Sequence, residues 1–209
     1  MNRAIPRARH FYFVFVFTVF VASGLILQAA EVLKTPAEAV GYSQYSQHEE
    51  IARFLSALDF ASPEIRVQII GQTREVREFP AKDLFLVIVS EEGVASPENL
   101  NRAKPTIFIT ASQHGNEQSA KEAALWFIRD LAVGELKPLL KKANFLIIPQ
   151  ANPYGNQVDR RQNEDNLDLN RDHVKLESAE VRAIHRVFRA WMPEMSMDLH
   201  EKGDDFYRV

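Results

Sequence analysis

Residues 106–134 read TIFITASQHGNEQSAKEAALWFIRDLAVG, and the change of rhythm inside this stretch decides the fold class. Residues 106–110 are an apolar, β-rich run. From residue 117 to 133 the pattern turns helical, with Ala120, Ala124, Phe127, Ile128 and Leu131 on one stripe and Gly134 as a stop. The polar string His114-Gly-Asn-Glu117 falls at the turn between the two. In a parallel α/β sheet that turn lies at the carboxyl end of a strand, the edge at which such sheets bind ligands.

The rest of the chain repeats the arrangement. Residues 145–148 (FLII) and 195–199 are further strand-like runs, and two more polar strings, Asp168-Leu-Asn-Arg171 and Asp198-Leu-His200, lie in or after them. Upstream, SQHEEIARFLSAL from Ser46 sets Ile51, Phe54, Leu55 and Leu58 on one helical face, with Ser46 as the cap and Glu49 three residues on. Strands are expected at residues 65–70 and 84–89. A helix is expected over residues 176–192, buried through Val181, Ile184, Val187, Phe188 and Trp191. This alternation predicts an α/β sandwich with a largely parallel centre and an antiparallel hairpin in the early strands.

Composition narrows the function. With 209 residues, 46% apolar and 25% charged, the chain suits one globular domain. A net charge of −3, with dispersed Lys and Arg, excludes a nucleic-acid partner. The absence of Cys removes disulfides, thiolate metal sites and cysteine nucleophiles, so any metal must sit on His, Glu or Asp. Residues 1–10 carry three Arg and no acid, and residues 11–27 (FYFVFVFTVFVASGLIL) are nearly all apolar. Residues 1–30 therefore read as a signal peptide or signal anchor, with residues 31–209 exported to the periplasm or beyond. A membrane attachment is expected only if residues 11–27 stay uncleaved.

His114 and Glu117, three residues apart at a strand-to-helix turn, can converge on one ion if the turn is tight, and Gly115 permits that. With a second His from another strand, the set suits Zn2+ and leaves a coordination position open. The alternative is that His114 caps the helix and Glu117 complements its dipole. Asn170 and Arg171 sit in a polar loop, where a guanidinium fork and an adjacent amide suit a carboxylate. Structural pairing of the loop's Arg residues with its own Asp residues is the competing reading.

Taken together, the strings resemble the zinc carboxypeptidase family, peptidase family M14. They follow its order: H-x-x-E at His114 and Glu117, N-P-x-G at Asn152, Pro153 and Gly155, R-x-N at Arg161 and Asn163, D-L-N-R at Asp168 to Arg171, and a strand-closing His200. The resemblance covers residues 43–209. It implies a three-layer α/β sandwich with a mixed, largely parallel sheet, and removal of C-terminal residues from peptides that carry a free C-terminal carboxylate. It implies one Zn2+ on His114, Glu117 and His200, carboxylate binding by Asn170 and Arg171, and carbonyl polarisation by Arg161. Asp168 would hydrogen-bond His114.

Other candidates are weaker. His185 reads as a packing or surface residue, His173 as a loop residue beside the cleft, and Glu201 as a poor general base because it points away from His200 on a strand. Spacing to Asn163 favours Arg161 over Arg160. Family members continue with a Glu base, a substrate-capping Tyr and the specificity pocket; none is matched in the nine residues after His200. That predicts a catalytic domain truncated at its C-terminal side, with little activity. The alternatives are a deacylase resembling aspartoacylase or succinylglutamate desuccinylase, against which the export signal and the R-x-N string argue, and an inactive zinc- or peptide-binding remnant.

Overall fold

The computed structural model describes residues 33–202. Residue contacts divide the chain after Lys34, and the unit beginning at Thr35 carries every element below. The expected signal or anchor lies outside the described residues. No described helix is long and apolar enough to cross a membrane.

The elements run α1 (Pro36–Ala39), α2 (His48–Ala61), β1 (Ile65–Gln72), β2 (Asp83–Val89), β3 (Thr106–Ala111), α3 (Gln118–Ala132), β4 (Asn144–Ile148), α4 (Pro153–Gln157), α5 (Ala179–Trp191) and β5 (Met195–Leu199), with short 3-10 turns between some of them. The five strands form one sheet in the order β1-β2-β4-β3-β5. β1 and β2 form the expected antiparallel pair, and β2 also runs antiparallel to β4. β4, β3 and β5 are mutually parallel, so the segments that follow them all emerge at one edge.

Alternation along the strands builds two apolar layers. Leu86, Ile88, Phe108, Leu146 and Ile148 pack against Ile184, Val187 and Trp191 of α5. On the other face Phe145 meets Phe127 of α3 edge-on, and Phe85 stacks on His48 of α2. That second face is less closed. A groove of about 530 Å³ lies along it, lined by Ile107, Ile109, Phe127, Ile147, Met197 and Leu199 among others.

Three local expectations are corrected. The residue capping α2 is Gln47, whose partner in the reciprocal cap is Glu50; Ser46 instead gives its N–H and hydroxyl to Glu122 of α3, at 2.7 and 2.6 Å. Tertiary bonding has displaced the local cap. Phe127 and Phe188 are also less buried than their stripes suggest. Leu125 takes the interior place on α3, while Phe188 is 41% exposed and touches Phe108 only by its edge. The start of α5 is also later than expected: Ser178 caps it by accepting from Val181 N, a bond worth about 1 kcal/mol.

Candidate metal centre

The carboxyl ends of β3 and β5 lie side by side, with Ala111 opposite Leu199. His114 follows the first strand by three residues and His200 follows the second directly. Ser112, at the turn, is held at φ 56°, an uncommon backbone region for a residue with a side chain, and its hydroxyl donates to the Glu117 carbonyl at 3.1 Å. The turn places Glu117 between the two histidines. His114 Nδ1 lies 2.7 Å from Glu117 Oε1 and His200 Nδ1 lies 2.6 Å from Oε2. One ligand atom from each of the three residues lies within 4.8 Å of the others, so the group could hold a metal ion.

The turn is tight for a reason that the sequence did not disclose. A Cβ at Gly115 would collide with the backbone of Gly155 and the carbonyl of Arg160, so His114-Gly-Asn-Glu117 and Asn152-Pro-Tyr-Gly155 pack backbone against backbone. Asn152, fully buried, holds this junction together. Its Oδ1 accepts from Gly155 N at 2.8 Å, and its Nδ2 donates to the carbonyls of Gln113 and Arg161, each at 3.2 Å. Asn156 Nδ2 donates to Gly115 O at 2.6 Å. Asn152 was visible in the N-P-x-G string and Asn156 directly follows it, but nothing in the string said that they brace the turn.

Each histidine has a carboxylate behind it. Asp168 Oδ1 lies 3.1 Å from His114 Nε2, and Asp198 Oδ2 lies 2.7 Å from His200 Nε2. Asp168 is also gripped by Arg161, whose Nε donates to Oδ2 at 3.0 Å and whose Nη2 forms an ion pair with the same oxygen at 2.9 Å. Arg161 Nη1 stands 3.9 Å from Glu117 Oε1. Arg160 turns elsewhere, to Asn166. Asn170 Nδ2 lies 3.1 Å from His200 Nε2, whereas Arg171 is exposed and its Nη1 donates to the Asn170 carbonyl. Internal Arg pairing, the competing reading of the loop, thus holds for Arg161 with Asp168, while Asp165 pairs with Arg74 from outside the loop.

Burial alone would raise the Glu117 carboxyl, but hydrogen bonds from His200, His114 and the Glu201 backbone hold it below its usual value. Asp168 is likewise lowered, with burial outweighed by Arg161 and then His114. For His200, burial acts downward and is overcome by Glu117 and Asp198, so its pKa is raised. Both Nδ1 atoms address one ionised carboxylate, an arrangement that a proton or a cation can fill. Metal binding to such a set releases protons.

The remaining candidates lie outside this group. Glu201 turns its carboxylate to Ser119, taking the backbone N–H and the hydroxyl at 2.9 Å each. His173 links Gln113, at 2.7 Å, to His185, at 3.1 Å. His185 is therefore a member of a polar chain, more than a packing residue.

The family model for zinc carboxypeptidases matches residues 51–189. Carboxypeptidase 2 of Trichophyton rubrum is 32% identical over 132 residues, which are 62% of this chain and 23% of that protein. Among solved structures, carboxypeptidase A from Helicoverpa armigera superposes with a TM-score of 0.63 at 20% identity, over 77% of this chain and 46% of its own. A metallo-carboxypeptidase from Burkholderia cenocepacia gives 0.62 at 24%, over 74% and 40%. The chain thus spans about a quarter of the length of the curated relatives it matches. The deacylase alternative is not favoured by any of these. With the family model covering most of the chain, this protein belongs to the zinc carboxypeptidase family.

Proposed function

We propose that the chain carries the metal-binding and substrate-orienting residues of a zinc-dependent metallocarboxypeptidase that removes C-terminal residues from peptides. The observation that supports this most directly is the convergence of His114, Glu117 and His200, with Arg161 beside them. The donor set fits Zn2+: two imidazoles and one ionised carboxylate, with the far nitrogen of each imidazole already facing a carboxylate. A Zn2+ in such a site supplies Lewis acidity toward a carbonyl and activates water near neutral pH.

In this reading the chain's own groups divide the remaining work. Asp168 holds Arg161 through two of its nitrogens and fixes its approach to the cluster. From there the guanidinium donates to the scissile carbonyl oxygen as negative charge develops on it. Asn170 and Arg171 bind the terminal carboxylate of the peptide, so that positive groups flank the scissile bond on both sides. Residues 1–30 direct export, and attachment to a membrane would depend on residues 11–27 remaining in place.

The test is calorimetry on the full chain with Zn2+, followed by a C-terminal dipeptide. One Zn2+ binds, and binding is lost in His114→Ala, Glu117→Ala and His200→Ala while circular dichroism retains the fold. The free-acid dipeptide then binds more tightly than its amide, and Arg171→Ala weakens it by on the order of 2–5 kcal/mol. Zinc binding that survives all three ligand substitutions, or equal binding of acid and amide, would overturn the proposal.

A further inference from the structure

Asp198 enters the reading above only as a carboxylate facing His200, yet its surroundings assign it a more specific role. Residues two apart along extended chain share a face, which brings Asp198 of β5 beside His200, the residue directly after the strand. Parallel pairing sets Thr110 of β3 opposite Asp198. Thr110 Oγ1 donates to Asp198 Oδ1 at 3.3 Å, which leaves Oδ2 facing His200 Nε2 at 2.7 Å. The same Nε2 is 3.1 Å from Asn170 Nδ2.

These two neighbours require opposite protonation of the ring. A carboxylate only accepts, so it needs a proton on Nε2; an amide nitrogen only donates, so it needs the lone pair there. Neutral imidazole carries one proton. Placed on Nε2, it leaves the lone pair on Nδ1 for an ion that takes the place of the proton otherwise drawn there by the Glu117 carboxylate, 2.6 Å away. Placed on Nδ1, it blocks that atom as a metal ligand. The contest is unequal, because a charge-assisted hydrogen bond is roughly twice as strong as a neutral one.

We infer that Asp198 is a positioning residue that fixes His200 in the tautomer with its Nδ1 lone pair available to the metal, and thereby keeps the Asn170 amide from binding the ring. The inference rests on the metal-site reading proposed above. Asp168 stands in the equivalent place behind His114, but Asp198 does so from the strand that its histidine directly follows. It also controls which way Asn170 is used: with Nε2 protonated, the amide's donors have no lone pair on His200 to address and can turn to a substrate carboxylate.

Zinc affinity of the full chain, read by competition with a chromophoric chelator, tests this with Asp198→Asn and Asp198→Ala. Asparagine keeps the shape of the side chain. With its oxygen held by Thr110, however, it presents an N–H2 to Nε2 and supports the non-ligating tautomer, as happens when an Asp behind a catalytic His is changed to Asn. Affinity is expected to fall about 10- to 100-fold in Asp198→Asn, and by no more in Asp198→Ala. Adding Asn170→Ala to Asp198→Asn should recover part of the loss. In 15N-edited spectra of the zinc-loaded chain, the His200 Nε2–H proton is expected to be protected from exchange in the parent and lost in Asp198→Ala.

A merely structural role predicts the reverse order, with the isostere tolerated and alanine damaging. That order, or parental zinc affinity in Asp198→Asn while His200→Ala loses binding, would overturn the role of Asp198 and leave the metal site standing. Parental affinity in His200→Ala itself would instead overturn the metal-site reading, and this inference with it.

Discussion

His114 and His200 address the same carboxylate, but the molecule supports them in different ways. His114 is buried, and its position depends on chain far away in sequence: the Gly155 backbone against Gly115, Asn152 on the Gln113 carbonyl, and Asp168 behind the ring. His200 ends β5, its side chain is 28% exposed, and the carboxylate behind it is two residues away. One histidine position is therefore a product of tertiary packing and the other of local strand geometry. A lesion near His114 should spread into the fold, whereas a lesion near His200 should stay at the site.

Gly115→Ala should show the largest effect. The new methyl group has backbone on its far side and no flexible side chain to push away, so a loss of about 3 kcal/mol or more is expected in urea unfolding, accompanied by loss of zinc binding. Parental stability in this variant would break the comparison at its base. Asp168→Ala should come next, at about 1–3 kcal/mol, because it strips partners from Arg161, His114 and the Asn170 backbone together. Asp198→Ala, measured in parallel, should change global stability by no more than about 0.5 kcal/mol. Equal losses at the two positions would erase the distinction between them.

A smaller and pH-dependent effect should appear at Glu180, which supports the loop carrying Arg161 and Asp168. This fully buried carboxyl faces Asn163 Nδ2 at 3.3 and 3.4 Å, and burial together with the charge of Glu164 pushes its pKa up to about 8. The native state thus holds the proton more tightly than the unfolded chain. Its contribution is complete below the ordinary carboxylate range and is lost as pH rises toward 8. Glu180→Gln should therefore flatten the decline in stability between pH 5 and 8, and at pH 8 should be more stable than the parent by on the order of 1 kcal/mol. An unchanged slope would place the proton elsewhere.

Much of this was readable before the structure. Strand runs such as residues 106–110 and the stripes of α2, α3 and α5 obey simple periodicities, and the order of the polar strings along the chain carried the family resemblance. Positions whose state depends on a distant neighbour were not readable. Ser46 looks like a helix cap until Glu122 claims it, Phe188 looks buried until its place at the margin of the α5 face is known, and Asn152 shows nothing of the two carbonyls it holds. Asp198 is an intermediate case. Its spacing from His200 announces a shared face, but only the bond to Thr110 shows which oxygen is turned to the ring.

The contact between Gly115 and Gly155 also bears on how this region can change through mutation. Because the two backbones touch, and the Gly155 side of the junction is itself closed by Arg160 O at 2.6 Å and Asn152 Nδ2 at 2.7 Å, neither position can accept a side chain while its surroundings stay in place. The Arg160 carbonyl obstructs both positions, so a substitution that displaces it at one glycine relieves part of the clash at the other. The two positions are then coupled, and a double replacement falls short of the sum of the single losses. Glycines 40 residues apart in the chain thus answer in part to one carbonyl, and their tolerance of side chains is linked through it.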